Sequence, residues 1–176
     1  KKIAFIGMTL EGTDELVAAV GIAGFTFEDE ITAGNAAVAE IKAADPTVEA
    51  IIVMLHEGGI PVPFAVNGCA GISGPILDIA AALDSEIDAI ISGHTHQPYT
   101  GSIEDPDNNP RPVTSAYSFG RVVTEITLEL DDDGEVDRDT FTMLNHEVIQ
   151  GDLTADPAIT AVIDKFENAL KDAGHL

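Results

Sequence analysis

The residues best equipped for chemistry are three histidines in two short segments, Leu55-His56-Glu57-Gly58-Gly59 and Ser92-Gly93-His94-Thr95-His96-Gln97-Pro98. Imidazole is the commonest protein ligand for Zn, Mn, Fe and similar ions. A lone histidine beside a strand is ordinarily a polar surface residue. Two of them framed by Gly93 and Thr95, in the Gly-His-Thr-His order, point instead to a shared cation. With one residue between them, His94 and His96 face one spot only if the backbone bends, and Gly93 is the expected place for that bend because it has no Cβ.

The elements around these histidines explain how they meet. Residues 50–55 and 87–91 are apolar and rich in isoleucine, as expected of buried strands of a parallel sheet. Each run ends in one of the histidine segments, and in open α/β sheets ligands bind beyond the carboxyl ends of the strands. Between them lie the long segment 60–77, with Pro61, Pro63, Cys69 and Gly74-Pro75, and a helix predicted over 75–83. A loop of that length in a compact domain is more often functional than idle. A crossover of this kind is almost always right-handed and makes its strands parallel, so both strand ends arrive at one rim. His56 is thereby brought to His94 and His96.

Elsewhere the chain alternates in the same manner. Residues 3–8 read as a strand, 10–26 as an irregular Gly- and acid-containing stretch, and 35–44 as a helix stopped by Asp45-Pro46. The acidic segment 101–112, rich in Pro and Asn, reads as an exposed loop, followed by strands over 113–117, 121–130 and 140–149. Asp131-Asp132-Asp133-Gly134 is a hairpin turn signal, and Pro157 opens a terminal helix with Ile159, Val162, Ile163, Phe166 and Leu170 on one face. The fold class is α/β: βαβαβ, then an antiparallel layer and a closing helix.

The chain has 176 residues, a formal net charge of -23 and 45% hydrophobic residues. That length and apolar content support one domain with a core. The charge argues against nucleic acid and anionic membranes as partners, since both are bound through basic patches. It fits a protein that is secreted, cell-surface or periplasmic, or one adapted to high salt. No apolar run approaches a membrane span. Cys69 stands alone, so its expected roles are a small apolar packing residue, a free thiol or half of a bridge to another chain.

Taken together, Ser92-Gly93-His94-Thr95-His96-Gln97 and Leu55-His56-Glu57-Gly58-Gly59 resemble the last two metal-binding motifs of the calcineurin-like metallophosphoesterases. The surroundings are most similar to the secreted 5′-nucleotidase branch, which includes 2′,3′-cyclic nucleotide phosphodiesterases and nucleotide-sugar hydrolases. Segments 111–116 and 119–126 resemble the strands that follow in that family. The resemblance implies part of a four-layer αββα sandwich with mixed sheets. It also implies two divalent metal ions, at which a metal-activated hydroxide attacks phosphorus in a nucleotide or other phosphate ester. His56 and His94 resemble the histidines on the second metal, and His96 the ligand completing the first.

Two adjacent dications repel each other and need a bridging carboxylate, which the family takes from an Asp, alongside an earlier Asp-x-His and an Asn-His pair. No Asp-x-His occurs in this chain. Asn145-His146 and Gly151-Asp152 imitate the absent motifs but follow the Gly-His-Thr-His segment, so they are expected to be structural look-alikes. The expectation is that residues 1–176 are the second half of a catalytic domain. The bridging Asp, the catalytic histidine and the substrate domain then lie outside it, and the chain alone is inactive. A partner chain carrying the first half, or dimerisation, should cover the edge and apolar face left unpaired.

The competing class is a non-catalytic metal-binding or interaction module. Among the remaining residues, Glu57 is expected either to orient a ligand or to be an exposed loop acid. Asp88 is expected to begin a strand and Asp78 to face water. Gln97 is expected in a loop hydrogen bond and Arg121 in a structural ion pair. The acidic runs 28–30 and 131–133 are expected to be solvated surface.

Overall fold

The computed structural model describes residues 1–131, 134–151 and 154–175, the side chain of Asp139 excepted. Five strands form the main sheet: β1 (Ile3–Met8), β2 (Ala50–Leu55), β3 (Ala89–Ser92), β4 (Pro98–Glu104) and β5 (Pro110–Ala116). Their order is β1-β2-β3-β5-β4, with every pairing parallel except the β4–β5 hairpin. One row of residues, Ile6, Val53, Ile90 and Val113, crosses the four parallel strands in register. This row and its neighbours Ile51 and Leu55 face α2 (Glu30–Ala44) and α3 (Ile76–Ala82), whose Val38, Ile79 and Ala80 complete the core. Half-buried Cys69 packs against this cluster as a free thiol, in the space that a side chain at Gly101 would occupy.

A second sheet, β6 (Val122–Leu130) paired antiparallel with β7 (Val136–Glu147), lies against β4 and β5. Asn145 joins the two layers. Its amide donates to the Val66 carbonyl at 2.8 Å and the Ser115 carbonyl at 3.1 Å, and its backbone N–H donates to Asn67 at 2.7 Å. Asn145 is therefore structural, as expected of a look-alike. His146 faces outward on the same strand and bonds Glu125 across the ladder at 2.9 Å. Asp152, like Asp132 and Asp133 of the hairpin turn, lies outside the described residues.

Four sequence expectations need correction. Segment 101–112 is not an exposed loop: it forms most of the β4–β5 hairpin, closed by Asp105, whose carboxylate accepts from the N–H groups of Asp107 and Asn109. Its two prolines precede Val113, where pairing with β3 begins, so β5 tolerates their missing donors. The first long helix starts at Glu30 rather than Asn35, because Asp29 caps it by accepting from the Thr32 N–H at 2.7 Å. Run 28–30 is thus only partly solvated, for Glu30 is buried and accepts from the Glu11 N–H. Finally, α4 (Pro157–Asp172) closes nothing: its whole apolar face, Ile159 to Leu170, stays exposed.

Two arginines hold the end of the sheet away from the histidines. Arg138 of β7 bonds Asp105 and Asp88, and Asp88 also accepts from the Ile51 N–H at 2.8 Å. Burial pushes the Asp88 carboxyl up, against the pull of those partners. Arg111 of β5 is 0% exposed and donates to the carbonyls of Ala80, Leu83, Asp84 and Ile87, capping the end of α3. Burial, with some repulsion from Arg138, pushes its guanidinium down to about 10, which leaves it charged at neutral pH. Arg111→Ala would strand four buried acceptors, each worth roughly 1–3 kcal/mol when left unpaired. Unfolding in urea should show at least about 3 kcal/mol of lost stability, with Arg111→Lys restoring only part because its ammonium lacks the fork.

Candidate functional site

The site is built on the parallel pairing of β2 and β3, which sets Leu55 and Ser92 at one rim of the sheet. The loops that follow are tied to each other through the backbone. Gly93 N–H donates to the Glu57 carbonyl at 3.2 Å, and the Thr95 hydroxyl donates to the Gly59 carbonyl at 2.8 Å. The His56 N–H donates to the Met8 carbonyl at the end of β1 at 3.0 Å, so three strand ends are stitched together. Glu57 is buried, contrary to the exposed alternative, and its carboxylate accepts from the Gly58 N–H at 2.7 Å. Its role is to shape its own loop.

Within this frame His56 and His94 come together, their ring centroids 5.2 Å apart and their planes at 65°. Two imidazoles sharing one ion at metal–nitrogen distances of about 2.0–2.1 Å and a tetrahedral angle place their centroids about 5 Å apart. The pair fits that geometry, which is also an ordinary edge-to-face ring contact. His96 turns elsewhere: it is exposed and meets the ring of Phe119 at 5.1 Å and 72°. The three histidines are not a set whose ligand atoms all lie within 4.8 Å of one another. Among the described residues that condition is met by Glu11, Asp29 and Glu30, where Asp29 and Glu30 are already used as helix cap and backbone acceptor.

The bend between the histidines is not made at Gly93. His94 and His96 themselves take positive φ, 64° and 52°, and a Cβ on Gly93 would meet only ordinary contacts. Histidine tolerates the left-handed region better than most residues, but each such residue still carries strain. The close approach falls at Gly58, where a Cβ would collide with the Gly93 carbonyl oxygen and lie 2.9 Å from the Thr95 hydroxyl. Arg121 also differs from expectation. Its guanidinium lies over the rings of Tyr117 and Phe119, at 5.4 Å and 5.5 Å, in place of the expected ion pair. Sequence reading passed over both aromatic residues, which follow β5 and so reach the same rim as Ser92. Their signal was a Tyr-Ser-Phe-Gly turn directly after a strand end.

No family model matches the chain. A curated relative, the endonuclease YhcR of Bacillus subtilis, is 30% identical over 168 residues, which is 94% of this chain and 12% of that protein. Among solved structures, the calcineurin-like phosphoesterase YfkN of Bacillus subtilis superposes with a TM-score of 0.64 at 23% identity, over 96% of this chain and 52% of that one. A putative 5′-nucleotidase from Staphylococcus aureus gives 0.63 at 17% identity, over 94% and 31%. The NAD nucleotidase NadN of Haemophilus influenzae gives 0.60 at 20%, over 83% and 25%. The chain thus spans about an eighth of its curated relative and at most about half of these structures.

Because Gly58 faces backbone rather than a flexible side chain, Gly58→Ala must push the two histidine loops apart. Thermal unfolding should show a loss of about 1–3 kcal/mol, the usual cost of overpacking. Gly93→Ala should cost less, and equal losses at the two positions would contradict this account of the rim.

Proposed function

From the calcineurin-like phosphoesterase fold of this chain, we propose that the protein to which it belongs hydrolyses phosphate esters of nucleotides at the rim carrying His56, His94 and His96. The observation that carries the reading is the convergence of His56 and His94 where two parallel strands end, inside loops locked together by backbone hydrogen bonds. The known proteins it is similar to include a putative 5′-nucleotidase and an NAD nucleotidase, which supports a nucleotide substrate. A divalent ion held there supplies Lewis-acid polarisation of a phosphoryl oxygen and a lowered pKa for bound water. His56 and His94 would bind one such ion together. His96 would turn to a second ion whose remaining ligands, the bridging carboxylate among them, belong to other parts of the protein. Glu57 and Thr95 keep the loops in place.

A second reading, phosphodiester cleavage of a cyclic nucleotide or a nucleic acid strand, draws support from the endonuclease relative. The net charge of -23 weighs against a polyanionic strand. Comparing AMP, 2′,3′-cyclic AMP, a nucleotide sugar and a short single strand as substrates of the intact protein separates these readings.

We also infer that the chain is one part of a larger catalytic unit. β1 is an edge strand with Phe5 and Ile3 more than half exposed, beside exposed Met54 of β2. Such an edge and apolar face are ordinarily covered.

Two measurements test these proposals. Zinc titrated into the chain should bind at least about tenfold more weakly to His56→Ala and His94→Ala, whereas His146→Ala should bind it normally. In the intact protein, His94→Ala should lower kcat/KM for the best phosphate ester by more than about 100-fold. Unchanged zinc affinity in the double variant would overturn the assignment. In a size measurement the 176-residue chain should run as a dimer or retain a partner, and a well-folded monomer would count against the shared edge.

A further inference from the structure

We propose that the turn from Tyr117 to Arg121 is a nucleobase platform, with Phe119 offering its ring to the base and Arg121 flanking it while the phosphate lies toward His96. The inference rests on the phosphoester reading above, and it names the part of the substrate that this chain itself recognises.

Three independent observations converge on the turn. The first is exposure without burial against the core. The Phe119 ring is 80% exposed yet ordered by contacts on either side, His96 at 5.1 Å and the Arg121 guanidinium at 5.5 Å. An aromatic face held this way beside a histidine rim is what a planar ligand stacks on.

The second is strain. Tyr117 and Phe119 have φ of 65° and 57°, a conformation that bulky residues rarely adopt. The turn is fixed by the Arg121 N–H to the Ser118 carbonyl at 3.2 Å and by the Val148 N–H to the Arg121 carbonyl at 2.9 Å. Two strained aromatic residues next to two strained histidines make four such positions at one rim. Strain of this kind gathers where side chains are aimed for function rather than for packing.

The third is charge. Five of the chain's eight lysines and arginines are held in ion pairs. Arg111 is committed to carbonyls, and Lys165 lies over Phe166 on α4. Arg121 is exposed, rests on rings rather than on a carboxylate among the described contacts, and sits at the histidine rim. In a chain of net charge -23, a guanidinium left in that state can meet an anionic ester.

There is also room for a base. A cavity of about 330 Å³ opens beside the turn, lined by Phe64, Tyr117, Arg121 and Val148, within the range of small-molecule pockets. Glu147 contributes to its wall, which favours the uncharged base there and leaves the phosphate for the histidine side. A single exposed arginine suits a mononucleotide rather than a strand, which needs several phosphate contacts.

Calorimetric titration of the chain in EDTA, where no turnover occurs, tests the platform. AMP should bind about 5- to 150-fold more tightly than ribose 5-phosphate, the range expected for stacking one base. Phe119→Ala should abolish that ratio and Phe119→Tyr should keep it. Arg121→Ala should weaken AMP and ribose 5-phosphate alike. Equal affinity for the two in the unaltered chain, or a ratio that survives Phe119→Ala, overturns the platform and leaves the hydrolytic reading standing. Binding of neither compound also overturns it. A base preference with no hydrolysis by the intact protein would instead sink the hydrolytic reading alone. A thymidine hexanucleotide bound far more tightly than dTMP would show that the surface serves a strand and overturn the mononucleotide assignment.

Discussion

The rim depends on the parallel register of β2 and β3. Val53 pairs with Ile90, so the two strands run out side by side, and the hydrogen bond from Gly93 to the Glu57 carbonyl continues the contact past the ladder. Apolar residues on the strands secure the pairing, since Val53 and Ile90 are wholly buried against α2 and α3. The polar residues beyond the strand ends then have almost no freedom of placement. A one-residue slip would turn every side chain of a strand to the opposite face, and no such slip is compatible with burial of this row. The histidines therefore inherit their positions from residues that carry no chemistry.

The two ends of the sheet are built in opposite ways. At the far end Arg111 and Arg138 sit deep among carbonyls and carboxylates, where removal from water costs much and geometry must repay it. At the histidine end the polar groups stand in or near solvent, with rings as their neighbours. Rigidity is concentrated where nothing reacts, and the reactive rim stays open to ligands.

Much of this was legible in the residues. The apolar runs 50–55 and 87–91, each followed by histidine, sufficed to place His56 beside His94, because parallel pairing follows from a short helical crossover. The β4–β5 hairpin was not legible, since its prolines and acids read as a loop, and only the Asp105 turn and the register with β3 reveal a strand. The bend at His94 and His96 was hidden for a different reason: φ is a property of the folded loop, and composition pointed to the neighbouring glycine. The start of α2 was within reach, for Asp29 with Thr32 three residues later is a capping signal that hydrophobic spacing alone passes over. Arg121 was read through the chain's abundance of acids, while its neighbours in space are aromatic.

The left-handed backbone at His94 and His96 also limits what could ever replace them. Among side chains, asparagine and aspartate share histidine's ease in that conformation, whereas β-branched and bulky apolar residues do not. Both are oxygen donors. Exchanging an imidazole for one of them leaves the loop's shape intact and shifts its taste from borderline ions toward harder ones such as magnesium, manganese or calcium. The loop thus fixes where a donor must stand while leaving open which element of the periodic table it serves.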